Sequence, residues 1–370
     1  MENLLSKVPD VLLMGPGPSC VYPEVYRALS APTLGHLDGE FIRIMDETKN
    51  LLRDIMNTNN AMTFPVSGTG SAGMETCFVN MIEPGDRVLV LVNGVFGTRM
   101  TDVATRLGAE VTTVEAEWGT PIRVEDVRKA LSGGASYKLV AAVHAETSTG
   151  VLNPVDEIGK VVAGTGALYL VDGVTSLGGL PVKLDEWGVD LFYSGTQKCL
   201  SVPPGLAPCS FSDRALEALE QRQSKVPNWY LDVSMLVNYW QGAKRAYHHT
   251  APINMIYALY QSLLTLAEEG HENSFARHKQ CHEQLVRGLE KIGVELMVEE
   301  PARLPMLNAV KVPDGVDEAT VRTRLRSEHN IEVGAGLGPL AGKIWRVGLM
   351  GHTARPENVD RFLGALAKVL

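Results

Sequence analysis

The chain has 370 residues, 45% apolar and 21% charged, with 36 glycines and 20 prolines, an ordinary globular composition that excludes a disordered, collagenous or disulfide-scaffold protein. That length is more than one core usually serves, so a large α/β domain with a smaller companion is expected. The 34 basic and 43 acidic residues leave a net charge of −9, without the basic stripe that a nucleic-acid partner would need.

The first ten residues, MENLLSKVPD, carry Glu2 and Asp10 and no apolar segment, so a signal peptide is not expected. From about residue 60 short apolar runs alternate with helical patterns, the rhythm of helices covering both faces of a mostly parallel sheet. The patterning predicts a helix over 71–82, a buried strand over 87–92, a helix over 98–107 and a strand over 110–114. A helix over 124–131 and a strand over 138–143 follow, then a helix from Pro154, where proline suits the first turn. Strands over 168–171 and 191–193 complete this region. After Tyr247 the texture changes to a long helical stretch over 254–292, broken near Gly270. The last hundred residues read as α+β, with strands over 308–312 and 344–347 and helices over 319–328 and from Pro356.

The longest apolar runs, such as 88–92 and 139–143, fall far below the roughly 18 residues of a membrane span. Cys20, Cys77, Cys199, Cys209 and Cys281 lie far apart with no CxxC pairing, which points to a reducing, cytoplasmic setting. The neighbours His248 and His249 have no acidic or cysteine partner nearby in sequence, and adjacent rings are expected to point apart, so no metal site is expected.

Ligands of open α/β sheets gather beyond the carboxyl ends of the strands, and four polar features stand there. Asp172 follows an almost wholly apolar strand in ALYLVDGVTSLGG, a costly place for a carboxylate unless a cation meets it. Lys198 lies five residues after the next strand, in the Gly/Ser/Thr-rich segment SGTQKC. The loop SGTGSAG (67–73) runs straight into a helix, where backbone N–H groups and the dipole can hold a phosphate. Its match to GxGxxG suggests a dinucleotide, but the following strand ends at Asn93 rather than at a ribose-binding acid. Arg346 is a lone cation in an apolar strand, suited to bidentate capture of a carboxylate. Taken singly, Lys198 reads as a solvated lysine, Asp172 as a helix cap, Phe96 as core and Arg346 as a structural ion pair. Taken together, phosphate cradle, buried carboxylate, lysine and arginine describe pyridoxal phosphate chemistry on an amino acid. Lys198 would bond to the cofactor aldehyde and then shuttle the Cα proton. Asp172 would keep the pyridine nitrogen protonated and the ring electron-withdrawing.

The chain resembles the class V aminotransferases of the alanine–glyoxylate and serine–pyruvate type over essentially its whole length. The resemblance rests on GPGPS (15–19), GHLDGEF (35–41), IMDE (44–47), SGTGSAGMET, EPGDRVLVLVNGVFG, ETSTGVLNP, VDGVTSLGG, SGTQKCL, PPGL, YHHTAP and WRVGLMG. It implies a fold-type I architecture: an N-terminal arm over 1–20, a large cofactor domain over 21–268 with a mostly parallel seven-stranded sheet, and a small α+β domain over 269–370. It further implies that Thr69, Gly70, Ser71 and Gln197 hold the phosphate, joined by Tyr247 and Thr250 of a neighbouring subunit in a homodimer. Phe96, where relatives often carry Trp, would stack on the cofactor ring and Val174 would pack its other face. Ser71 stands where relatives often carry His. Ser148 would lie near the ring hydroxyl or the substrate, and Arg346 with the backbone at Gly15 would take the substrate carboxylate. The activity implied is transamination between a small amino acid, alanine or serine, and a small 2-oxo acid, glyoxylate or pyruvate. Two alternatives keep the fold: a lyase or cysteine desulfurase, disfavoured because Cys281 lies in a helical pattern and not in a glycine loop, and a catalytically silent scaffold, disfavoured by the intact Lys198 and Asp172.

Overall fold

A computed structural model describes residues 3–242 and 245–370. Seven strands form the central sheet: β1 (Met62–Ser67), β2 (Arg87–Val92), β3 (Glu110–Glu115), β4 (Leu139–Val143), β5 (Leu168–Asp172), β6 (Leu191–Tyr193) and β7 (Leu206–Phe211). Their spatial order is β1-β7-β6-β5-β4-β2-β3. The pairs from β6 to β3 are parallel, whereas β7 runs antiparallel to both β6 and β1. Strands β4 and β5 are buried along their full length, as expected where helices cover both faces of a parallel sheet.

The sequence patterning did not mark β1 or β7. Each carries a proline, Pro65 and Pro208, and the two face each other across the pair. Proline normally argues against a central strand because it has no N–H to donate. Here Pro65 lies on an edge strand, and the β6–β7 ladder stops at Tyr193–Cys209, one residue short of Pro208.

A second apolar core collects Leu285, Leu325, Trp345, Val347 and Phe362 near the C-terminus, together with Leu12 and Met14. Its sheet places β10 (Ile344–Gly348) between β8 (Leu307–Lys311) and β9 (Gly334–Ala335), with antiparallel pairing throughout. Helices His271–Lys291, Glu318–His329 and Pro356–Val369 accompany it. Residues Leu12–Leu13 pair in parallel with Ile331–Glu332, which carries the following Gly15–Pro18 turn across to Lys198. Among the described residues, no helix is long and apolar enough to cross a membrane.

Candidate active site

The apolar residues of β5 deliver Asp172 to its carboxyl end, where Asp172 pairs in register with Tyr193 of β6. Asp172 Oδ2 accepts from the Tyr193 hydroxyl at 2.7 Å and Oδ1 accepts from the Val174 amide at 2.8 Å. Burial pushes the carboxyl up to about 6, although both donors and the charges of Lys198 and Arg99 oppose the rise. A cation held against Asp172 would restore its ionised form.

Lys198 sits in a turn clamped from several directions. Ser19 donates its amide to Gln197 O at 2.9 Å and its hydroxyl to Lys198 O at 2.7 Å. Ser201, in the left-handed region at φ 53°, donates its amide back to Lys198 O. Lys198 Nζ donates to the carbonyl of Pro16. Gly17 has φ 108°, and a Cβ there would fall 2.6 Å from Nζ, so glycine alone fits against the lysine. Burial, reinforced by the charge of Arg346, lowers the Lys198 amine to about 8. That enriches the neutral, nucleophilic form near neutral pH.

Asp172 and Lys198 line one cavity of about 150 Å³, shared with Gly70, Ser71, Phe96, Val174 and Gln197. Seven of the sequence-expected residues are therefore brought together. At one end begins the helix Gly70–Met81, with Thr69 as its N-cap and no side-chain cap. The amides of Ala72 and Gly73 turn back to Thr69 O, leaving the first helical amides at Gly70 and Ser71 for an anion. A Cβ at Gly70 would stand 3.3 Å from Val174 Cγ2, which keeps this approach narrow. Gln197 contributes a buried Oε1 with no hydrogen-bond partner.

Arg346, on β10, donates from Nε to Ala335 O at 2.7 Å and from Nη1 to Thr147 O at 3.4 Å. Both partners are neutral carbonyls, and among the described residues Arg346 forms no ion pair. Burial lowers its pKa, opposed by the charge of Glu146. A buried guanidinium fixed by carbonyls alone is free to take an incoming carboxylate.

Six expected residues do not line the cavity: Arg346, which reaches it only through its bond to the lining residue Thr147, and five others. Ser148 is fully buried; it donates to Glu146 Oε1 at 2.5 Å and accepts from the Val95 amide at 2.9 Å. Gly15 packs against Gly334 and Gly348, and it is the adjacent Pro16 whose carbonyl meets Lys198. Thr69 stands one residue before the lining. Tyr247 is 59% exposed and its hydroxyl lies 3.4 Å from that of Thr250, which is also exposed. His248 and His249 do not point apart: their Nδ1 atoms approach to 2.9 Å, and His249 Nε2 bonds the Ser67 hydroxyl at 2.7 Å. Among the described residues no group of three His, Cys, Asp or Glu side chains gathers as a metal ion would require.

Sequence reasoning missed Tyr193, Thr147, Arg99 and Glu146. Tyr193 had a signal, since its hydroxyl ends an apolar strand directly after the strand that ends at Asp172. Arg99 lies three residues beyond Phe96 on one helix, with its guanidinium carbon 5.0 Å from the Phe96 ring centroid. Glu146 had none, because the Phe96 amide it accepts from lies fifty residues earlier in the chain.

The donors at Gly70 and Ser71, the carboxylate of Asp172 and the amine of Lys198 suit a ligand with a phosphate, a basic ring nitrogen and a carbonyl. Pyridoxal phosphate carries all three. Comparison with known proteins agrees with this fit. The family model for aminotransferase class-V matches residues 21–362. The alanine–glyoxylate aminotransferase of Oryctolagus cuniculus is 41% identical, over 98% of this chain and 93% of its own. The (S)-ureidoglycine–glyoxylate transaminase of Bacillus subtilis is 38% identical, over 97% of this chain and 90% of its own. The crystal structure of alanine–glyoxylate aminotransferase from Nostoc sp. superimposes with a TM-score of 0.96 at 49% identity, covering 100% of this chain and 99% of that one. With its fold, its cavity and a match along nearly its whole length in agreement, the chain belongs to the class-V aminotransferases, pyridoxal-phosphate-dependent enzymes of fold type I.

Proposed function

We propose that this enzyme moves the amine of a small amino acid, alanine or serine, to a small 2-oxo acid, glyoxylate or pyruvate, in two half-reactions at one site. The observation that carries the reading is the shared cavity of Lys198 and Asp172, with Arg346 held by carbonyls and free of an ion pair. The bound cofactor supplies an electrophilic aldehyde and an electron-withdrawing ring that makes the substrate α-proton acidic. Asp172 holds the ring nitrogen in its cationic form, and Gly70, Ser71 and Gln197 hold the phosphate. Lys198 Nζ would be the base that takes the substrate α-proton and the acid that gives it back on the far side of the amine nitrogen. Arg346 binds the α-carboxylate of donor and acceptor alike, so one clamp serves both half-reactions. Phe96 and Val174 supply the two apolar walls against which a flat ring packs.

The homodimer belongs to this proposal. Tyr247 and Thr250 are exposed and lie outside their own chain's cavity, and His248 between them stacks on the exposed Trp229 with ring centroids 4.4 Å apart, a pattern that suits residues completing a partner's phosphate site. The five free cysteines are compatible with a reducing, cytoplasmic setting. A desulfurase would need a mobile, reactive cysteine. Cys281 is buried in helix His271–Lys291, and burial lifts its thiol to about 11.

The test is a panel of donors (alanine, serine, ureidoglycine, cysteine) against glyoxylate and pyruvate, run on wild type and Lys198→Ala. Alanine or serine turnover that vanishes in the variant supports the proposal. Undiminished turnover in Lys198→Ala, or sulfide release from cysteine as the main activity, refutes it.

A further inference from the structure

The helix Val95–Arg106 carries Phe96 and Arg99 to the cavity, yet it begins at a residue unable to cap it. Its N-cap is Gly94, which offers no side chain to the first amides. Helices that start this way leave several N–H groups without partners. The acceptors come instead from a two-stranded hairpin, Ala145–Glu146 paired antiparallel with Val151–Leu152. Side chains alternate along it: Ala145 and Thr147 line the cavity, while Glu146 between them turns the other way, beneath the helix start. Glu146 Oε2 accepts from the Phe96 amide at 3.1 Å, and Ser148 Oγ accepts from the Val95 amide at 2.9 Å. The two acceptors are tied together, since Ser148 donates both its amide, at 3.1 Å, and its hydroxyl, at 2.5 Å, to Glu146 Oε1. A Cβ at Gly94 would collide with both side chains, so the glycine makes room for its substitute cap.

We propose that Glu146 is a positioning residue: with Ser148 it caps the Phe96 helix from outside and so fixes the aromatic wall of the cofactor cavity. Its carboxylate also completes the dipole of that helix, where a negative charge is favourable. Burial lifts Glu146 to about 7, a cost that a purely structural core position would avoid by being apolar. The inference rests on reading the cavity as the cofactor site.

The test uses the full-length protein, with and without pyridoxal phosphate. Glu146→Gln turns an amide NH2 toward donors that now meet an oxygen. Hydrogen exchange at Val95 and Phe96 is expected to accelerate in both forms, and the dissociation constant for pyridoxal phosphate to rise about tenfold, the scale of a lost helix cap. In a Phe96→Ala background the same substitution is expected to weaken binding by less than about twofold, because its effect passes through Phe96. Unchanged exchange at Val95 and Phe96, or a full tenfold loss that persists without Phe96, overturns the proposal. Should Glu146→Gln fail to fold, Ser148→Ala removes the Val95 acceptor and the hydroxyl donated to Glu146, keeping the Ser148 amide bond to Glu146 and the Glu146 bond to Phe96, and is read in the same cycle, where a loss independent of Phe96 overturns it. Failure of the cofactor reading shows itself separately, as a wild-type protein that binds no pyridoxal phosphate, and exchange in the ligand-free chain still decides the cap.

Discussion

Asp172→Asn should make the cofactor-free protein more stable at neutral pH than at acid pH, relative to wild type. Asp172 is 4% exposed, and burial displaces its carboxyl from 3.8 to about 6. A folded-state pKa above the unfolded one means that the folded protein holds its proton more tightly. That contribution to stability is complete below pH 3.8 and is lost as the pH climbs through about 6. The full displacement corresponds to about 3 kcal/mol. Between about pH 4.5 and 7.5, roughly 2 kcal/mol of it is lost from wild type but not from the variant. Asparagine keeps an acceptor for the Val174 amide and turns its NH2 to the Tyr193 oxygen, so the local hydrogen bonds largely survive. The assay is urea denaturation of both cofactor-free proteins at the two pH values and one fixed protein concentration, because subunit association would shift the midpoints. The variant's stability relative to wild type should rise by about 2 kcal/mol across that interval, while its transamination falls steeply. A difference that stays flat or narrows as the pH rises would show that Asp172 is not held against its ionisation, and the reasoning would be wrong.

Gly17→Ala places a methyl within 2.6 Å of Lys198 Nζ at a φ of 108°; a destabilisation of about 1–2 kcal/mol is expected, with weaker cofactor retention, read by thermal unfolding and by dialysis of the loaded enzyme. Arg346→Lys keeps the charge and loses the planar fork, so KM for both the amino acid and the oxo acid should rise about 10- to 100-fold with a smaller change in kcat; a rise confined to one of the two substrates would contradict a shared carboxylate clamp. Lys198→Ala should still bind the cofactor at the phosphate end while turnover drops by about 10³-fold or more, measured by equilibrium binding beside the rate assay.

The strands most legible in the sequence were those with both faces buried. The predicted runs 87–92 and 191–193 coincide with β2 and β6, since continuous apolar residues between turn signals leave little choice of register or extent. Asp172 and Lys198 were legible for a related reason: a polar residue at the end of an apolar strand is conspicuous against its background. What stayed hidden depended on contacts distant along the chain. The prolines of β1 and β7 argue locally against strands, and only their pairing across the sheet explains why both are tolerated. The helix expected to start at Thr98 starts at Val95 because its cap comes from Glu146 and Ser148, about fifty residues later. Ser148 was expected near the ring hydroxyl or the substrate, and in the structure its hydroxyl is engaged with Glu146 and Val95. Tyr247 and Thr250 are exposed and lie outside their own chain's cavity, so no contact within one chain ties them to it.

The account depends on Lys198 being the amine that receives the cofactor. Reducing the loaded enzyme with borohydride locks the cofactor onto whichever side chain holds it, and peptide mapping by mass spectrometry then reads the position. The expected result is one phosphopyridoxyl group per chain, on Lys198, in the peptide containing SGTQKC. A label on another lysine, or no label on an enzyme that still transaminates, would contradict it.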